Sequence, residues 1–172
     1  MPRILKTFFY IIGCSLVFIL LVSNYENASV SESNQPTAIA FEWEKSVSVY
    51  FWNDTISSDP NDCSSVFPVS RTVLNAETLG PGALEALLRG VTEQEKAVGY
   101  GSAINPGVLV QKFEIKNKVA YVDLSEELTK GVAGSCRVLA LRSQIETTLN
   151  NLSDIDSVVI SVNDETEEIL QP

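Results

Sequence analysis

Along this chain apolar and polar positions alternate with a period of two at several places, and recur at three and four residues at two others. Alternation puts successive side chains on opposite faces of a strand, whereas a three-four spacing draws one stripe along a helix. Val47, Val49 and Phe51 alternate with Ser48, Tyr50 and Trp52. Phe67, Val69, Arg71 and Val73 alternate with Pro68, Ser70 and Thr72, and Pro68, lacking a donor, belongs at a sheet edge or a strand start. Gly80-Pro81-Gly82 breaks the chain before a helix whose face is Ala83, Leu84, Leu87 and Leu88 and whose stop is Gly90. Thr92 and Glu95 have capping-box spacing and predict one short turn.

The loop Gly99–Gly107 leads into two strands, Leu109–Ile115 and Val119–Leu124, joined by a hairpin turn at Asn117-Lys118, where glycine would be easier than lysine. Ser125 is expected to cap a short turn, with Glu126 and Glu127 near its N-terminal dipole. The longest helix begins near Ser135. Val138, Leu141, Ile145, Thr148 or Leu149, and Leu152 form its stripe, with Arg137, Arg142, Gln144 and Glu146 mostly off it. Val158, Ile160 and Val162 mark the last strand. The order β-β-α-β-β-α-β predicts an α/β (α+β) fold: a small mixed sheet and two main helices in a two-layer sandwich.

The N-terminus differs from all of this. Phe8–Val22 is an apolar run of 15 residues, preceded by Arg3 and Lys6 and followed by no Lys or Arg until Lys45. With Thr7 and Ser23 it approaches the length that spans a bilayer. Three readings compete. A cleaved signal peptide lacks good small residues before a cut. Ile11-Ile12-Gly13-Cys14 fits a lipobox and makes Cys14 a candidate for lipidation, but the apolar run continues for eight residues beyond it. A retained anchor is the preferred reading. Its flanking charges place the N-terminus in the cytoplasm and the bulk of the chain outside the cell membrane. Three segments follow: residues 1–23 as membrane anchor or signal, 24–44 as a flexible polar tether, and 45–172 as the globular domain.

Charge and composition narrow the chemistry. The 172 residues include 22 acidic and 12 basic side chains and no histidine, for a net charge of −10. Without histidine there is no Ser-His-Asp or Cys-His nucleophile and no His metal ligand. The acidic balance argues against nucleic acid as a partner. Three cysteines cannot build a four-cysteine zinc site. Outside the cytoplasm two cysteines in a small domain usually pair, so Cys63 and Cys136 are expected to form a disulfide, the alternative being two free thiols; a redox role is less favoured still, since there is no CxxC spacing.

Four constellations invite a catalytic or binding reading. Gly99-Tyr100-Gly101-Ser102 begins like a phosphate-binding glycine loop but lacks its third glycine. Asn53, Asp54, Asp59, Asn61 and Asp62 carry oxygens suited to calcium in a spacing that fails the EF-hand pattern, so a solvated turn is preferred. Asp123, Glu126 and Glu127 could pair carboxylates for glycoside hydrolysis, although capping already accounts for both glutamates. Arg71, among apolar neighbours, is expected to join a half-buried structural ion pair with Glu85 on the first helix, in preference to holding an anionic ligand. The acidic run Asp164–Glu168 reads as a solvated tail end. Together these assign no catalytic, cofactor or metal residues.

Val47–Leu170 resembles a GerMN domain, the sporulation and germination module of bacterial envelope proteins. The resemblance rests on Val49-Tyr50-Phe51 with Pro68–Val73, on Ala83–Gly90 followed by Thr92–Glu95, and on Val119–Ser125, Gln144–Leu149 and Val158–Val162. Val91 and Lys118 depart from the family pattern. The resemblance implies an anchored or lipid-modified extracytoplasmic protein, no established catalytic residues, and a fold similar to ring-building motifs. The resulting expectation is a non-enzymatic, membrane-tethered envelope module that binds a protein partner or peptidoglycan. The alternatives are a carboxylate-based cell-wall glycan hydrolase and a self-associating, ring-forming component.

Overall fold

The computed structural model describes residues 44–59, 61–74, 78–166 and 169–170, all within the unit Phe41–Pro172. Strand β1 (Glu44–Asn53) buries Val47, Val49 and Phe51 on one face. It pairs antiparallel with β2 (Phe67–Leu74) in a register that sets Val47 opposite Arg71 and Tyr50 opposite Pro68. After Thr78, α1 (Leu79–Leu88) runs to Gly90, whose positive φ of 75° ends the helical path. The short α2 (Glu93–Lys96) follows, then β3 (Tyr100–Gly101), which pairs with the far end of β1. Next come β4 (Val110–Lys116) and β5 (Val119–Leu124), antiparallel through Asn117-Lys118, both at positive φ. Helix α3 (Ser135–Asn150) then crosses back, and β6 (Ser157–Val162) lies parallel to β5. A parallel pair needs such a crossover, and α3 supplies it.

The mixed α and β composition agrees with the expected class, but the strands form two sheets instead of one, β2-β1-β3 and β4-β5-β6. Their connection is apolar. Helix α3 packs on β1 and β6, and α1 packs on β1, β2 and α3. The stripe Val138, Leu141, Ile145 and Leu149 therefore shares one core with Val49, Phe51, Leu84, Leu87, Val122 and Ile160. Pro68 lies on the edge strand, where its missing donor costs no ladder bond.

Two local expectations are corrected. Gly80-Pro81-Gly82 is the first turn of α1 and does not precede it. The proline costs little there, because a first-turn N–H has no intrahelical acceptor. Gly80 is needed for approach, since a Cβ on it would lie 2.5 Å from Phe113 Cζ of β4. The acidic run after β6 is also more structured than a tail end. Asn163 and Asp164 adopt positive φ in a tight turn, and Val162 and Glu165 exchange backbone hydrogen bonds of 2.9 and 3.0 Å. Among the described residues no helix is long and apolar enough to cross a membrane. The Phe8–Val22 segment, the lipobox cysteine Cys14 and the tether 24–44 lie outside the described residues, except for Glu44, which opens β1.

Candidate functional site

A hollow of about 660 Å³ lies where the β1–β2 connection meets the start of α3. Trp52, Ala103 and Ala140 give it an apolar floor, and Asp59, Asp62 and Arg137 stand on its rim. A second hollow of about 650 Å³ is lined by Tyr100, Gly101, Ile104 and Asn105, and it shares Trp52 and Ser102 with the first.

The segment between the hollows is held by Gln144. Its side chain is fully buried, and its Oε1 accepts from the Ala103 N–H at 3.1 Å and the Ser102 hydroxyl at 3.3 Å. Its Nε2 donates to the Gly101 carbonyl at 3.2 Å. A helix-face pattern puts a polar Gln144 off the stripe, but here it is inside, because β3 is too short to satisfy its own backbone. Gly101 has a packing role. A Cβ there would sit 1.9 Å from Trp52 Cζ2, so the glycine lets the indole lie against the strand. The glycines read from sequence as the start of a phosphate loop thus serve contact with Trp52, and Ser102 donates its hydroxyl proton toward Gln144.

Cys63 and Cys136 are joined in a disulfide with a Cα–Cα distance of 5.1 Å. Both line the first hollow. The acidic loop beside them is internally satisfied. Asn53 is buried, accepts from the N–H groups of Thr55 and Ile56, and donates to the Val98 carbonyl. Asp59 accepts from the Asn61 N–H at 2.8 Å. Asp62 accepts from the Ser64 and Ser65 hydroxyls, and these bonds, Ser64's first, hold its carboxyl below the usual carboxylate range. Among the described residues no group of three or more His, Cys, Asp or Glu side chains could hold a metal ion.

Arg71 does form a half-buried ion pair, but its partner is Glu95 and not Glu85. Nη1 and Nη2 each lie 2.7 Å from a Glu95 carboxylate oxygen. Glu85 is exposed, because it falls between the buried residues Leu84 and Ala86 on the outward side of α1. Glu95 also accepts from the Thr92 N–H at 2.7 Å, completing the capping box the sequence predicts. The guanidinium, foremost, together with that N–H pulls the Glu95 carboxyl down to about 2, against the opposing cost of burial.

The three carboxylates considered for hydrolysis are already engaged. Asp123 is buried and accepts from the Ser161 hydroxyl at 2.6 Å and the Asp164 N–H at 2.8 Å. Glu127 is drawn down to about 2, first by the Ser125 hydroxyl and then by its own N–H and Lys130. Glu126 pairs with Lys130 on the surface. Ser125 begins the 3₁₀ turn Glu126–Leu128 as expected, but its side chain does not cap it; Oγ accepts from the Leu109 N–H at 3.0 Å, tying the turn to the start of β4. A general acid at neutral pH must keep its proton, and a carboxyl near 2 does not.

A family model described as "Germane: Sporulation and spore germination" matches residues 48–168. No curated protein matches the chain. Among solved structures, the chain is similar to the first GerMN domain of the sporulation protein GerM from Bacillus subtilis, at 16% identity and a TM-score of 0.48 over 71% of this chain and 85% of that one. It is similar to the tandem GerMN domains of the same protein, at 16% identity and a TM-score of 0.49 over 72% of this chain and 41% of that one. It is also similar to a protein provisionally assigned as a lipoprotein in Clostridium perfringens, at 18% identity and a TM-score of 0.45 over 71% of this chain and 76% of that one.

Proposed function

The chain belongs to the Germane family of sporulation and spore germination domains, and we propose that it acts as a non-enzymatic module of the bacterial cell envelope. In this reading residues 1–23 anchor it, residues 24–43 let it stand off the membrane, and the globular domain faces outward to bind a protein partner or a component of the cell wall. The observation that carries the reading is the state of the polar groups. Glu95, Asp123 and Glu127, the most perturbed or most buried carboxylates, are each committed to hydrogen bonds that favour the anion or fill its lone pairs. Such groups hold a surface in shape and are poorly placed to transfer protons. The Cys63–Cys136 disulfide supports an oxidising compartment.

Crosslinking in native membranes, with the full-length protein as bait, tests this. Recurrent capture of one envelope protein, or co-sedimentation with purified peptidoglycan without its degradation, is the expected result. Release of soluble glycan fragments by the purified protein, abolished by Asp123→Asn or Glu127→Gln, would replace it with the hydrolase reading. Intact mass of the recovered bait reports whether Cys14 carries a lipid and whether the first segment is retained.

A further inference from the structure

The β1–β2 connection, residues 54–66, is attached to the rest of the fold in an unusual way. None of its described residues belongs to the hydrophobic core or to the partly buried shell around it. Among the described residues, its hydrogen bonds from Ser57 to Ser65 run within the segment or back to Asn53. Examples are Asp62 N–H to the Asp59 carbonyl, Ser65 N–H to the Asp62 carbonyl, and the Asp62 carboxylate with Ser64 and Ser65. Its start is tied down by the Asp54 N–H to the Gly99 carbonyl at 3.2 Å. Among the described residues, what fastens the far half of this segment to α3 is the bond from Cys63 to Cys136. Both cysteines border the open hollow, and Cys136 is exposed. A reductant can therefore reach the bond without unfolding the core.

We propose that the Cys63–Cys136 disulfide is a reversible redox clamp. A dithiol reductant cleaves it in the folded protein, which frees the 54–66 wall of the hollow from α3 while the core stays intact. The exchange has a preferred direction. Cys136 is the second residue of a 16-residue helix with no acidic side chain in its first turn, so its thiolate is favoured by the helix N-terminus. Cys63 follows the anionic Asp62, which disfavours a thiolate there. The better leaving group is thus Cys136. One thiolate of the reductant attacks Cys63 Sγ, the protein S–S bond breaks, and Cys136 departs as thiolate. The second thiolate of the reductant attacks its own sulfur in the mixed disulfide and releases Cys63. Two electrons pass to the protein, the reductant becomes a disulfide, and its two thiol protons balance the two cysteine thiols formed.

The test uses the full-length protein in detergent with dithiothreitol at pH 8 and no denaturant, followed by alkylation, peptide mapping and hydrogen exchange. Peptide mapping separates Cys63 and Cys136 from Cys14. The expected result is alkylation of both under native conditions, with exchange in 54–66 and 133–137 accelerated by about tenfold or more. Exchange in β4, β5 and β6 should be unchanged. The double variant Cys63→Ser/Cys136→Ser should show the same local acceleration without reductant. Three results would overturn the proposal: alkylation only after denaturation, acceleration spread through the whole domain, or reduction with no local acceleration.

Discussion

Replacing Glu95 with Gln isolates what the Arg71–Glu95 pair contributes. The guanidinium and carboxylate meet through two 2.7 Å contacts, with side chains only 16% and 18% exposed, and Arg71 lies 5.8 Å from the centroid of the Phe51 ring. The carboxyl falls from an ordinary 4.5 to about 2 on folding. At 1.36 kcal/mol per unit, this corresponds to about 3 kcal/mol of stability at neutral pH. The sign follows from proton uptake. Between the two values the unfolded chain binds the proton and the folded protein does not, so the stability is fully present above about pH 5 and drains away toward about pH 2. Glu95→Gln mimics the protonated group and leaves Arg71 half-buried without a counter-charge. We expect a loss of about 3 kcal/mol at pH 7, a fall in Tm of about 10 °C, and a gap from wild type that closes as pH falls through 4 and 3. Urea or thermal denaturation followed by circular dichroism measures it. Glu85→Gln, on the exposed side of α1, should leave Tm unchanged and serves as the control. An unshifted Tm for Glu95→Gln at pH 7, or a gap that stays constant with pH, would refute the reasoning.

Other substitutions test the segment between the two hollows and the hairpin. Gln144→Leu strips partners from the Ala103 N–H and the Gly101 carbonyl, and should cost about 2–3 kcal/mol in urea denaturation, with faster hydrogen exchange at 101–103. Gly101→Ala places a methyl 1.9 Å from the Trp52 ring, so the indole must move; a loss of about 2 kcal/mol or more is expected, with a red-shifted Trp52 emission measured in a Trp43→Phe background. Lys118→Gly relieves a side chain held at φ 65° and should raise stability by about 0.5–1 kcal/mol in urea denaturation, since the exposed ion pair it removes, Lys118 with Asp156 at 3.4 Å, is weak.

The elements that could be read from sequence are those in which neighbours in the chain determine the outcome. The Asn117-Lys118 turn, the Thr92–Glu95 capping box and the apolar stripe of α3 each depend on residues within four positions of one another. Local pattern and structure part where a distant group changes the local preference. Gly-Pro-Gly reads as a break because it is a poor helix interior, yet it lies in the first turn of α1, where Phe113 leaves no room for a Cβ on Gly80 and Val73 leaves little on Gly82. Gln144 reads as surface because it is polar, and it is buried because three polar groups of residues 101–103 face it. Arg71 announces a counter-ion, but its choice of Glu95 over Glu85 depends on where α2 is set down beside β2.

By itself the sequence determined the class of chain: an acidic, histidine-free domain of mixed α and β elements behind an apolar N-terminal run, with two cysteines free to pair in the domain. Periodicity, turn chemistry and composition are local or additive, so they survive without knowledge of the fold. Tertiary structure alone decided that the strands divide into two sheets joined through α3, that Arg71 closes on Glu95, and that the disulfide and Trp52 border one hollow. Each of these joins residues tens of positions apart. Such contacts are selected by the shared packing of one core, which no window of sequence contains.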